Sequence, residues 1–554
     1  MRRLVTRGAG VVVAVFVLGS LLGAGLPAGA AAPLQINGSG SSWAANAITQ
    51  WVQDVYTDGV DVTFNPDGDA QGRQDFANKV SDFAVTADGY QGFDSTTGVS
   101  DTSDGRAYAY LPVASGGTSF PYQIKYDGTQ VENLRLSGET LAKIFTNQIT
   151  NWDDPEITKD NNGVQLPSIP IVPVVQSEGS GATEQLTDYF STEYPSIWNS
   201  FAGQSGATEY FPRQGDQIAQ DGSTGAMNYI ASSAANGSIG YVEYSYPLSV
   251  GYPVAKVLNA GGYYTLPTQY NVAIALEQAQ INMDPTSPDY LLQTLTNVYT
   301  DTDPRTYPLS SYVYMIEPTG GPDVSPNDTS ETSGKRQSIA DFEYYSICQG
   351  QSQIGAIGYS PLPVNLVEAA FSQIQKLQQA DPNVDLTNLN IQTCNEPTFV
   401  PGQPTTNYLT TIAPQPPACD AQGAGPCAAG VTPNGIGATP ASSGSYPGTH
   451  AAGSAAAPAS GSAASGTSTG AASGTTAASA ATASAAGTSA ASAASAAAAA
   501  ADARPPLASA VLPGYGPFSS GWEALLTVAV LAVVFAVPVG IGYRRSRRRR
   551  EATA

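Results

Sequence analysis

From about Gly435 to Ala503 the sequence is almost entirely alanine, serine, glycine and threonine. Such a stretch lacks the apolar bulk to repay the entropy of ordering, so it is expected to stay unfolded. This confines a globular core to the residues before it. As a coil, its roughly seventy residues span on the order of 50 Å r.m.s., which suits a tether.

Two apolar runs bracket the chain. Arg2, Arg3 and Arg7 precede Val11 to Leu22, and Ala28-Gly29-Ala30 follows. This is the pattern of a secretory signal cleaved after Ala30. Ala524 to Gly542 is the second run, followed by Arg544, Arg545 and Arg547 to Arg550. It is long enough to cross a bilayer, with its basic flank on the cytoplasmic side. The expected layout is a signal (1–30), a head, an extension holding Pro and Cys (401–434), a linker (435–521), a transmembrane helix (522–543) and a basic tail (544–554). Leu512-Pro513-Gly514-Tyr515-Gly516 also resembles a Leu-Pro-x-Thr-Gly sorting motif, with Tyr515 where threonine belongs. Cell-wall attachment is therefore the alternative to a retained membrane helix.

The formal net charge is −22. Fourteen of the 23 Lys and Arg but 43 of the 45 Asp and Glu fall in the part expected outside, giving it about −29. An acidic head disfavours nucleic acid as a partner. The single histidine, His450, lies in the low-complexity stretch. A hydrolytic Ser-His-Asp or Cys-His site then has no histidine in the head, and no enzyme activity, metal or cofactor is expected. The four cysteines Cys348, Cys394, Cys419 and Cys427 lie where disulfides persist. Three pairings exist; Cys348–Cys394 with Cys419–Cys427 is favoured because the second loop is short.

The head alternates helix and strand signals, which indicates an α/β architecture. Trp43, Ala47, Trp51 and Val55 recur on one helical face, with Ser41 or Ser42 available as a cap. Leu141, Ile144, Phe145 and Ile149 do the same, and "DVTFN" and "PIVPVV" read as strands. Three glycine-containing turns precede helices: "GSGSSW", "DGDAQGRQDF" and "SEGSGATEQLTDYF". Helix starts expose unpaired N–H groups and favour an anion. A single such turn is most simply a cap. Several in one α/β head are positioned to converge on a cleft. Asp67-x-Asp69-x-Gln71-Gly72 also resembles the start of a calcium loop, but Asn78 stands where its closing glutamate belongs.

In order along the head, "INGSGSSWAANAITQW", "VSDFAVTAD", "LSGETLAKIFTNQITNWDDPEI", "LPSIPIVPVVQSEGSGAT", "GSIGYVEYSY" and "IGAIGYSPLPVNLVEAA" resemble the phosphate-binding protein of bacterial phosphate ABC transporters. That resemblance implies the type II periplasmic-binding-protein fold, with two α/β lobes (31–115 with 251–400, and 116–250) joined by hinge crossings. It implies phosphate or another small oxyanion between the lobes and a permease as partner. The family's ligand positions fall on Ser42 and Trp43, on Asp69 in place of a serine, on Thr86 with Asp88 nearby, and on Ser180, Gly181 and Thr183. Its arginine falls on Gln176. Arg73 or Arg213 is then the candidate replacement cation. Asp69, if ionised, would repel a solute anion. The rival expectation is a head of this fold reused as a surface interaction or structural module; a changed ligand, neutral or cationic, lies between the two.

Overall fold

The structure, a computed structural model, describes residues 33–427 except 94–97, 99, 323–330, 395, 396, 401, 404 and 405. The signal, linker, sorting motif, second apolar run and basic tail lie outside the described residues. Among the described residues no helix is long and apolar enough to cross a membrane.

The first strand, β1 (Ile36–Gly40), leads into α1 (Ala45–Tyr56). Ala47, Ile48, Trp51 and Val55 of α1 are buried, as the spacing predicts. The expected serine cap is absent: Ala44 occupies the cap position and makes no side-chain bond to the helix. β2 (Val62–Asn65), α2 (Asp69–Ala77) and β3 (Phe83–Thr86) follow. Strands β2 and β3 both run parallel to β1.

The long strand β4 (Tyr108–Pro121) carries the chain out of this layer. Beyond it, α3 (Gly138–Phe145) is capped by Ser137, whose hydroxyl accepts from Thr140 N. It stops at Phe145, because Asn147 turns to φ +58°, so Ile149 is buried outside the helix. Then come β5 (Val172–Gln176), α4 (Gly181–Glu193), β6 (Ile218–Gln220), α5 (Gly222–Ala231) and β7 (Ser238–Gly240). They build a three-stranded parallel sheet in the order β6-β5-β7.

The chain returns through β8 (Val254–Leu258) and β9 (Ser310–Pro318), then α6 (Ser333–Ile347) and α7 (Val364–Ala380). The first sheet is nine-stranded, with the central order β8-β4-β9-β3-β1-β2. β4 pairs with β9 from Tyr108 to Gly117, then with Val242–Glu243 and with β8 at its far end. Directly after β4, Tyr122 bridges Ile239 of β7, so this strand links the two sheets.

Both disulfides pair as expected: Cys348–Cys394 and Cys419–Cys427. The first ties the end of α6 to the chain after α7 across 46 residues. The second sits on an extension held to β8 by a buried ion pair, Lys256 Nζ to Asp420 at 2.7 Å. Closing a loop of this size restricts the unfolded chain, so Cys348→Ser with Cys394→Ser is expected to cost about 2–4 kcal/mol. Urea unfolding of the double variant checks this; an unchanged midpoint would contradict it.

Candidate functional site

Three turns meet where the two sheets face each other: the one after β1, the one after β2, and the one after β5. Glycine permits the approach. Gly68 holds φ +104°, and a Cβ there would stand 2.8 Å from Glu178 Cγ. A Cβ on Gly181 would stand 2.4 Å from Ala87 Cβ and 2.6 Å from Asp69 Oδ1. The bare backbone in front of α4 therefore makes room for another part of the same chain.

That part is Asp69. Its Oδ1 accepts from Ala87 N at 2.7 Å. The carboxylate also lies against Gly181, at the start of α4, where the backbone amide favours its charge. Asp69 belongs to a helix of the first sheet and Gly181 to a helix of the second, so the carboxylate spans the cleft. Other bonds cross beside it. Ala70 N donates to Gly179 O at 3.2 Å. Ser223 N, at the start of α5, donates to Ser42 Oγ at 3.1 Å. Ser42 thus serves a helix start from the opposite sheet rather than capping its own helix.

Gln176, Ser180 and Thr183 complete the second-sheet side. Ser180 is the cap of α4, accepting from Thr183 N at 3.3 Å, and its hydroxyl donates to Gln176 Oε1. Gln176 Nε2 donates to Ser223 Oγ at 3.4 Å, and Thr183 Oγ1 shares a hydrogen with Tyr241 OH at 2.8 Å. Glu178 closes the start of α5, accepting from Gly222 N at 3.1 Å.

Arg73 lies fully buried below Asp69. It donates to Glu209 at 2.6 Å, to Asp101 at 2.8 Å and to Thr86 Oγ1 at 3.0 Å, with Asp88 3.5 Å away. Burial alone would pull the guanidinium down. Glu209, Asp101 and Asp88 outweigh it and hold Arg73 well above its usual range. A cation is present, but the chain's own carboxylates surround it.

Burial pushes Asp69 up, and the Gly181 and Ala87 amides and Arg73 push back. Asp88 goes further up: it is buried beside Asp69, and neither of its oxygens has a hydrogen-bond partner. Glu184 in α4 is pushed up to about 8 by burial, with Glu209 and Asp188 adding to it. Beside the cluster opens a cavity of about 280 Å³, lined by Asp67, Ala70, Gln71, Glu178, Glu209 and Tyr210. A larger one, about 450 Å³ near Leu276 and Asn365, takes no part in this network.

Ser42, Asp69, Thr86, Asp88, Gln176, Ser180, Gly181 and Thr183 are thus gathered in one region. Trp43 is not part of it: its indole is buried, donates to Thr118 Oγ1 at 3.1 Å and packs edge-on against Tyr359. Arg213 is exposed on the loop after Phe211 and does not join the network, so Arg73 is the cation brought to the cleft. Glu209, Asp101, Glu184 and Ser223 had no signal in the sequence. Asp67 accepts from Gly40 N and Asn65 Nδ2 while Asp69 accepts from Ala87 N, so these two acids work apart rather than as a calcium loop. Among the described residues no group of three or more His, Cys, Asp or Glu is placed to hold a metal ion.

This sheet order and inter-sheet cleft define a two-part solute-binding fold. Residues 27–348, more than half of the chain, match a family described as a PBP superfamily domain, and the chain belongs to that family. It is 28% identical over 335 residues to the phosphate-binding protein PstS 2 of Mycobacterium tuberculosis, covering 59% of this chain and 83% of that one. It is 27% identical over 342 residues to PstS of Pasteurella multocida, covering 61% and 89%. Among solved structures, a high-affinity periplasmic phosphate-binding protein (PfluDING) bound with phosphate aligns at 18% identity and a TM-score of 0.48, covering 71% of this chain and all of that one.

Proposed function

We propose that the head is an extracellular solute-binding domain taking phosphate or another small oxyanion between two lobes, for delivery to an ABC permease. One observation carries the reading. A single carboxylate, Asp69, accepts from Ala87 N of one half and packs against Gly181 at a helix start of the other. An arrangement that holds one oxyanion group in this way has the chemistry to hold another. The names of the PstS relatives point to phosphate as the first candidate. The Ala-, Ser-, Gly- and Thr-rich stretch and the second apolar run of the sequence would tether the head to the membrane, or a sorting motif to the wall.

The wild-type protein should show a melting temperature that rises with phosphate in the millimolar range. At ten times Kd the gain is about 1.4 kcal/mol. A neutral sugar should give no rise, and sulfate tests the breadth of the site. No rise at tens of millimolar phosphate would remove phosphate as the ligand. The seated carboxylate of Asp69 also favours a second reading, a surface module whose seat is permanently filled. Under that reading neither phosphate nor sulfate shifts the melting.

A further inference from the structure

We infer that Asp69 is a tethered competitor for the anion seat: its carboxylate stands where the solute anion would stand, holds the two halves together, and sets the affinity for inorganic phosphate. The inference rests on the proposed reading of the cleft as an oxyanion site. Asp69 is 1% exposed and reaches from α2 to the start of α4. It takes up the amide of Ala87 and packs against Gly181 at the start of α4, covering donors that an incoming oxyanion would need. A tethered group competes at an effective concentration far above that of a free solute.

A second observation is independent of the helix start. The Asp88 carboxyl, 10% exposed and within 3.5 Å of Arg73, has no hydrogen-bond partner on either oxygen. Its oxygens therefore have unfilled hydrogen-bonding capacity beside the cation. An oxyanion replacing the Asp69 carboxylate would bring additional polar atoms to this region. Phosphate entry then requires Asp69 to withdraw, and the bonds Ala70–Gly179 and Ser42–Ser223 that flank it resist the opening.

The test uses the full chain in detergent, dialysed free of phosphate, as wild type, Asp69→Ser and Asp69→Asn. Equilibrium dialysis with labelled inorganic phosphate reads affinity, and hydrogen exchange of the peptide spanning Gly181 reads the seat. Asp69→Ser should bind phosphate at least tenfold more tightly than wild type. Its Gly181 amide should exchange faster without phosphate and regain protection with it. Asp69→Asn, which keeps the side-chain shape, should lie between. Tight wild-type binding that weakens in both variants would overturn the inference, making Asp69 a ligand group, and leave the oxyanion reading standing. Unchanged protection of Gly181 in Asp69→Ser would overturn it too. Lost protection with no phosphate binding by any form would overturn the oxyanion reading instead, and the competition with it.

Discussion

Replacing Arg73 with methionine is expected to destabilise the folded protein by about 3–5 kcal/mol. The guanidinium is completely buried and satisfies Glu209, Asp101 and Thr86 by hydrogen bonds of 2.6, 2.8 and 3.0 Å. Methionine fills much of the volume, so the cost is electrostatic rather than a cavity. Glu209 and Asp101 would lose their cation, and Asp69, Asp88 and Glu184 would lose the positive charge that favours their ionised forms. Arg73→Lys should rescue little, because an ammonium cannot present three donors in the same fan. Urea unfolding at neutral pH measures the loss. The same experiment at lower pH should show a smaller one, since Glu209, Asp88 and Glu184, all raised first by burial, take up protons more readily and then no longer need the cation. A change below about 1 kcal/mol would mean that the network is solvated and contributes like a surface pair.

The second large effect is a fall in stability on the alkaline side, and it originates away from the cleft. Glu317 at the end of β9 and Glu343 in α6 are fully buried and interact electrostatically, and no oxygen of either carboxyl has a hydrogen-bond partner. Burial, with Glu343 adding, drives Glu317 well up despite Lys376 and Arg336; burial pushes Glu343 up to about 8. The unfolded chain releases these protons near the ordinary glutamate value. Between the two values the folded state holds more protons, so raising the pH favours unfolding. The stability is fully present below about pH 4.5 and is lost as pH rises to and through about 8. A displacement of that size for Glu343 corresponds to on the order of 5 kcal/mol. Asp69, Asp88, Glu184 and Glu209 are raised too and act in the same direction. Glu343→Gln removes one of the two buried acids while keeping the side-chain shape and should flatten part of the fall. A melting temperature that stays level from pH 5 to 9, or climbs, would refute the buried acid pair.

Local chemistry was legible in the sequence where neighbours decide it. The Trp43, Ala47, Trp51, Val55 spacing placed α1 and its buried face, and Ser180 before a helix-forming run placed a cap. The ordered resemblance brought three glycine turns to one cleft. Pairings between distant segments were not legible. Nothing near Arg73 announces Glu209, 136 residues later. Ser42 looks like a cap for its own helix and instead serves Ser223 across the cleft. The sequence also led to Asp69 being cast as a repellent to a solute. No local pattern separates an aspartate facing water from one docked on a helix start more than a hundred residues on. Its role depends on the closed arrangement of the two sheets, which is a property of the whole fold.

A crystal structure of the protein grown at neutral pH without phosphate tests the central claim most directly. The account predicts a closed cleft, with the Asp69 carboxylate accepting from Ala87 N and packed against the Gly181 amide, and with Arg73 bound to Glu209. An open cleft in which Asp69 faces solvent and those two amides meet only water would contradict it.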